Sequence, residues 1–378
     1  MAGSRGSALV GSGVKPRRFP RPERWFLLTA LLALLLWPGP SHAGLPVALS
    51  RGVNITGWFR FPASRDPATL RAWLSDMAMV DLKSAGFTFV RLAIDPAIID
   101  GSPMRGALIE QIRRLQRHGL AVVVSPHPVG WAIDTNPADR AKLAAFWADL
   151  APALRALPSA LTFPELVNEP VFHNDAASWA QLQESLRATI RAALPNVTIV
   201  LTGNDWGSIA GLLALTPSTD PNIVYSFHFY DPTELTTLAA YRPGLDTAAL
   251  ARLPFPETDP IACRTIGTTS SDTTTRDLIL FWCATTWDAA HVRANLLRAV
   301  SWAKRHDVTL LAGEFGASIA LNAPARLAWL SLVRETCAEN GIGWALWGYD
   351  DVMGFNIRRP PENKPRLDRS VLKALGLP

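Results

Sequence analysis

Cysteine is scarce in this chain: there are three among 378 residues, at positions 263, 283 and 337. Their spacing matches no zinc pattern, so a structural zinc module is excluded and no metal is expected. Glycine-rich phosphate loops of the dinucleotide and Walker types are missing, which removes the commonest signatures of nucleotide and dinucleotide enzymes. No cofactor is expected. Charged residues make up 18% of the chain against 48% hydrophobic ones. Such a composition can fill a large core and excludes a disordered chain. Internal repeats stronger than a strand–helix unit are absent.

Long hydrophobic runs are missing as well. The apolar run Trp25–Trp37, interrupted only by Thr29, has 13 residues, short of the ~20 that span a bilayer. Lys15, Arg17, Arg18, Arg21 and Arg24 precede it, Pro38-Gly39-Pro40 breaks it, and Ser41-His42-Ala43 offers a small-x-small cleavage site. That is the order of a secretory signal peptide. Residues 1–43 are therefore expected to be a cleaved leader, 44–378 a single domain, and the product secreted or periplasmic. An inner-membrane anchor at residues 25–37 is the alternative. The Arg17-Arg18 pair fits a twin-arginine signal poorly.

Excess charge of one sign disappears with the leader. The chain has 37 basic and 32 acidic residues, of which the leader holds six and one, leaving 31 of each. The sequence pI of 9.4 thus belongs to the leader. A neutral remainder gives no reason to expect nucleic acid or, once the leader is cleaved, a membrane partner; it suits a neutral ligand. A monomer is expected.

From Arg51 onward, short apolar runs alternate with amphipathic segments. The runs are 52–56, 87–92, 121–125, 161–167, 197–202, 223–229, 308–312 and 342–347; helical patterns cover 107–118, 138–157, 177–194, 291–306 and 323–340. Near-continuous hydrophobic strands are those of a parallel sheet buried on both faces. Eight of them with helical crossovers predict an α/β fold, a single (β/α)8 barrel. About 60 residues after the sixth strand, 231–289, are rich in Pro, Thr, Ser and Asp and read as one long loop, either functional or a disordered insertion. Cys263 and Cys283 lie within it; a bridge between them and two free thiols are both open. Cys337 reads as a buried thiol in a helix.

In such a barrel the C-terminal strand ends carry the active site. Arg91 ends the second strand, His127 follows the third, Asn168 and Glu169 end the fourth, His228 and Tyr230 the sixth, Glu314 the seventh and Trp347 the eighth. Any one alone has a structural explanation. A ring of them is costly to bury unless it faces a polar ligand. Two carboxylates at one mouth suit glycosidic cleavage, one donating a proton and the other attacking or activating water.

This set resembles the active site of glycoside hydrolase family 5, the cellulase family, whose eight residues match in type and order. The resemblance covers residues 50–355. It implies that Glu169 is the acid/base and Glu314 the nucleophile of a retaining hydrolase cleaving a β-linked oligo- or polysaccharide. Arg91 and Tyr230 can donate to the Glu314 carboxylate and His228 can tune Glu169. Asn168 can donate to the sugar 2-OH, His127 to another hydroxyl, and Trp347 offers a stacking face. Endo-acting β-1,4-glucan cleavage leads; mannan, β-1,3/1,6-glucan, exo-acting glucosidase or transglycosylase action, and a non-catalytic sugar-binding barrel are the alternatives. Trp58, Trp131 and Trp206 are candidate sugar platforms or packing residues. Asn204, Asp205, Asp231, Asp350 and Asp351 contact hydroxyls or cap helices. No separate carbohydrate-binding module is visible.

Overall fold

The computed structural model describes residues 44–350, 356–359 and 366–378, apart from positions 100, 174 and 286. The expected leader and Asp351 lie outside the described residues.

The described chain is a (β/α)8 barrel. Its strands are β1 (Arg51–Phe59), β2 (Phe89–Ile94), β3 (Ala121–Pro126), β4 (Thr162–Pro164), β5 (Ile199–Thr202), β6 (Ile223–Phe229), β7 (Thr309–Phe315) and β8 (Gly343–Leu346). All seven ladders are parallel, in the order β4-β3-β2-β1-β8-β7-β6-β5. The ring closes through a single parallel bridge, Glu165 to Val200, where the Leu166 N–H donates to the Val200 carbonyl at 3.3 Å. A two-stranded ribbon, Arg358–Arg359 with Arg366–Leu367, follows β8.

Four of the long helices begin where the sequence supplies a side-chain cap. Asn136 accepts from the Ala138 N–H with Pro137 at the first helical position, and Asp175, Asp288 and Asn322 cap the helices Ala176–Ala193, Ala289–His306 and Ala323–Glu339. Each cap satisfies an N–H that helix geometry leaves unpaired. The helix expected from Ala107 begins earlier, at Ser102, with Pro103 in its first turn.

Two cores follow from the period of two along each strand. Val53, Val90, Val122, Ile199, Tyr225, Leu310 and Trp344 point outward, packed within a shell that includes the helices. Phe89, Ala121, Val123, Phe163, Val200, Val224, Leu311 and Ala345 fill the lumen's lower part. Two residues further along the same strands the lumen turns polar. Phe89 gives way to Arg91, Phe163 to Glu165, Val200 to Thr202 and Val224 to Ser226, all buried. The upper layer is therefore a polar floor inside a barrel whose lower half is apolar.

Strand β7 breaks its own alternation. Its register with β6 runs Phe227 to Ala312 and then His228 to Glu314, leaving Gly313 as an extra residue. An inserted residue of this kind reverses the facing of the residues beyond it. Leu311 is luminal and Ala312 is outward; beyond the bulge Glu314 meets the luminal Arg91 while Phe315 packs in the outer core. A Cβ on Gly313 would lie 2.3 Å from Ser226 Oγ, so a larger residue there would require the Ser226 hydroxyl to move.

The stretch after β6 is not one irregular loop, as its composition suggested. It folds into helices Thr233–Thr236, Thr247–Leu250, Pro260–Thr268 and Thr273–Thr285, and the last two are joined by a Cys263–Cys283 disulfide. Ile279, Trp282 and Cys283 are buried there, with Trp282 stacked on Trp287 at 5.6 Å. Alternating polar and apolar residues in segments this short carry too weak a helical period to be read from sequence. Cys337 is buried and unpaired.

A closed chain of this length removes unfolded-state entropy worth roughly 3 kcal/mol. Cys263→Ser with Cys283→Ser is expected to lower stability by about that amount. Cleavage between residues 240 and 285 should quicken in limited proteolysis, against an unchanged wild-type control; equal cleavage rates would refute this.

Candidate active site

Arg91 organises the mouth. Its side chain is fully buried and every nitrogen is engaged. Nε and Nη2 donate to the two oxygens of Glu165 at 2.7 and 2.9 Å, Nη2 also to Asn168 Oδ1 at 2.8 Å, and Nη1 to Asn54 Oδ1 at 2.9 Å and Glu314 Oε1 at 2.6 Å. Burial alone would lower its pKa; the Glu165 and Glu314 carboxylates outweigh that and raise it, so the charge is permanent. Asn54 is fixed in turn by donating to the carbonyls of Gly313 at 3.1 Å and of Ala345 and Leu346 at 3.3 Å.

Glu314 sits at the centre of these contacts. Beyond Arg91, its Oε2 accepts from the Tyr230 hydroxyl at 3.0 Å and lies 3.5 Å from His228 Nδ1. Burial pushes its pKa up, opposed by His228 and Arg91 and reinforced by Glu169. Burial and the Glu314 charge hold the Tyr230 phenol well above its ordinary range, so it remains a donor.

Glu169 lies opposite, its side chain 31% exposed against 4% for Glu314. Its Oε1 is 2.9 Å from His228 Nδ1. One oxygen of each carboxylate and a ring nitrogen of His228 all fall within 4.8 Å of one another. Burial would lower the His228 pKa, but Glu314 and Glu169 outweigh it and raise it. These three groups are also of metal-ligand type; the Arg91 cation on Glu314 works against a second cation at that carboxylate.

His127 is buried, with both ring nitrogens unpartnered among the described residues, and its ring stacks on Trp347 at 6.2 Å. Burial, then the charges of Arg91 and Arg60, hold it well below the ordinary histidine range, so it is neutral. Asn168 gives its oxygen to Arg91, leaving the NH2 as the group available to a ligand. All eight residues singled out in sequence thus meet at one mouth.

The second group divides. Trp206 is 52% exposed on the rim after β5, edge-on to His173 at 5.6 Å, and Trp131 is half-buried with Lys142 over its ring at 5.6 Å. Trp58 corrects the expectation of a sugar platform: it is fully buried, donates from Nε1 to the Leu70 carbonyl at 2.7 Å and stacks on Trp73. Asn204 is likewise occupied, because its amide clamps the Phe172 backbone at 2.7 and 2.9 Å. Asp205 accepts from Ser208 Oγ at 2.8 Å, and Asp231 accepts from Asn295 at 2.8 Å. Asp350 binds the Thr56 and Gly57 N–H groups at 3.4 and 3.1 Å, tying the end of β8 to β1.

Glu165 and Asn54 escaped the sequence reading. For Glu165 a signal existed, since it is the one charged residue in the apolar run Leu161–Val167. A carboxylate buried in a strand requires a cation. Asn54 had a weaker one, an amide at the inward phase of β1. Glu165→Ala would remove both hydrogen bonds of the bidentate pair on Arg91, and breaking a buried pair costs about 3–5 kcal/mol. The variant is expected to melt several degrees lower, with Glu165→Gln intermediate; wild-type melting in the alanine variant would contradict this.

With this geometry in view, likeness to known proteins becomes informative. Residues 52–352 match the model of the cellulase family, glycosyl hydrolase family 5. The chain is 26% identical over 330 residues to Endoglucanase 3 of Fibrobacter succinogenes, covering 80% of this chain but only 49% of that protein. Cellodextrinase A of Ruminococcus flavefaciens is 22% identical over 310 residues, covering 77% and 83% of the two chains. In three dimensions the chain resembles the endoglucanase Cel5A of Thermotoga maritima, with a TM-score of 0.70 at 22% identity over 87% of this chain and 97% of that one. A family match across most of the barrel, mouth included, leads to one assignment: this chain belongs to glycoside hydrolase family 5, the cellulase family.

Proposed function

We propose that the protein is a secreted, retaining endo-β-glucanase, with β-1,4-glucan as its substrate, Glu314 as nucleophile and Glu169 as acid/base. The observation that carries this is the Glu169–Glu314 pair: two carboxylates within 4.8 Å across one mouth, one buried against Arg91 and Tyr230, the other half-open beside His228. Retaining enzymes separate their carboxyl groups by about 5–5.5 Å and inverting ones by about 6.5–9.5 Å. The short gap supports retention.

The chemistry follows from the surroundings. Glu314 attacks the anomeric carbon while Glu169 gives its proton to the leaving oxygen, and the glycosidic bond breaks. Arg91 and Tyr230 hold the attacking carboxylate in one orientation, so little reorganisation remains to be done. A water, deprotonated by Glu169, then displaces Glu314 and restores both groups. Asn168 can donate to the 2-OH of the bound sugar, a contact that strengthens as positive charge develops on the ring. His127, neutral and unpartnered, can serve a further hydroxyl, and Trp347 provides a face for the same ring.

Export rests on the leader order of residues 1–43 and agrees with the disulfide, a bond suited to oxidising compartments. Among the described residues no helix is long and apolar enough to cross a membrane. Among the fold neighbours, Thermotoga maritima Cel5A has been captured with cellobiose and with mannotriose, so mannan belongs in any substrate panel.

Glu314→Ala and Glu169→Ala should each lower turnover by several orders of magnitude while leaving the fold intact by circular dichroism. Near-normal turnover in either would end the assignment. On an activated β-glycoside, azide should partly rescue Glu169→Ala and give a β-glycosyl azide; an α-product would mean inversion. Mass spectrometry of digests of cellulose, mixed-linkage glucan, β-1,3-glucan and mannan should show short oligomers from β-1,4-glucan. Binding without product would instead identify a lectin-like barrel.

A further inference from the structure

His228 has two ring nitrogens, and the carboxylates of the mouth engage one of them. Nδ1 lies 2.9 Å from Glu169 Oε1 and 3.5 Å from Glu314 Oε2. Nε2 points the other way, shielded from solvent and without a partner among the described residues. Burial lowers the His228 pKa, but Glu314 and Glu169 outweigh it and favour the charged ring, in which both nitrogens carry a proton. A buried N–H on a cation loses more without an acceptor than one on a neutral ring.

Ser226 supplies an oxygen on that side. It precedes His228 by two residues on β6 and so shares its luminal face. Its hydroxyl is buried as well, and has no partner among the described residues. Gly313, the extra residue of β7, stands beside both: a Cβ placed there would lie 2.3 Å from Ser226 Oγ and 3.6 Å from His228 Nε2. The two atoms are therefore no farther apart than those distances laid end to end, a span that a serine rotamer change or one bridging water closes. The charged and titratable groups around the ring and its carboxylates are Arg91 from β2, His127 after β3, Glu165 and Glu169 from the β4 side, Tyr230 after β6 and Glu314 from β7.

We propose that Ser226 is a positioning residue for glycosidic cleavage: its hydroxyl, directly or through one water, accepts the Nε2 proton of His228, so that the proton on Nδ1 is the one shared with Glu169. This deepens the glycosidase reading and rests on it. The exchange balances within the pair. When the Nδ1–H bond breaks and an O–H bond forms at Glu169 Oε1, imidazolium and carboxylate become neutral imidazole and carboxylic acid. Nε2 keeps its proton on the serine side throughout. Both forms store the proton that the leaving oxygen receives, and without the hydroxyl each buries an unmatched N–H. The deprotonated pair can carry its remaining proton on Nδ1, toward Glu169, and loses less. Removing the hydroxyl therefore makes the pair release its proton at lower pH.

The test is kcat/KM against pH for wild type and Ser226→Ala on two substrates, with melting temperature as the check on folding. A cello-oligosaccharide needs the stored proton, so its basic limb reports the pair; a dinitrophenyl β-glycoside needs no leaving-group protonation. Ser226→Ala is expected to move the basic limb for the oligosaccharide to lower pH by about half a unit, lowering kcat/KM there about threefold. The dinitrophenyl profile should stay as in wild type. Nitrogen-15 NMR of the wild-type histidines, with His228→Gln to assign the ring, should show Nε2 protonated across the active range. An unmoved basic limb, an equal loss on both substrates, or an Nε2 without its proton in that range would each overturn the proposal. Wild-type enzyme that cleaves neither substrate would defeat the glycosidase reading instead.

Discussion

One buried cation sets the terms for this molecule. Arg91 spends its donors on Glu165, Glu314, Asn54 and Asn168, four side chains from β1, β7 and the β4 end of the barrel. Withdrawing a guanidinium from water costs several kcal/mol, and the interactions of a planar fork recover that cost only when every donor is met. The upper lumen is arranged so that each is. Because Glu165 takes two of the hydrogen bonds, Arg91 is already held without Glu314. Glu314, the nucleophile in the proposed mechanism, therefore shares its cation with a carboxylate that has no part in that chemistry.

That division explains why the site looks more polar than catalysis alone would require. Glu165, Asn54 and Thr202, whose hydroxyl donates to Glu165 at 3.0 Å, touch nothing that reacts. They form the frame that holds Arg91, and Arg91 orients Glu314. Asymmetry then arises across the gap: the frame stands behind Glu314, whereas Glu169 has His228 on one side and solvent on the other. That asymmetry suits the proposed two-step displacement, in which Glu314 would attack and water must reach Glu169.

Much of this could be read from sequence. The apolar runs and the polar residues falling at run ends gave the barrel and its eight mouth residues, because strand period is a local property. What escaped was non-local. Glu165 was absorbed into a hydrophobic run, and the excursion after β6 is held by a disulfide and a Trp282–Trp287 stack rather than by helical periodicity. Trp58 and Asn204 sit at the right strand ends yet face the wrong way, their polar atoms taken by Leu70 and Phe172. Run ends locate a rim; they do not say which side of it a side chain occupies.

The extra residue at Gly313 bears on how freely this chain can change length. Alternation along a strand is a matter of odd and even: losing the extra residue would leave a regular strand with Glu314 still luminal, whereas one more residue inserted ahead of Glu314 would turn it into the helical shell and bring Phe315 into the lumen. Between Tyr230 and Ala289, where no such parity links a residue to the mouth, segments can lengthen or shrink while the lumen keeps its order. Evolution of substrate range in this scaffold is accordingly free to act by insertion on one side of the barrel and is confined to substitution on the other.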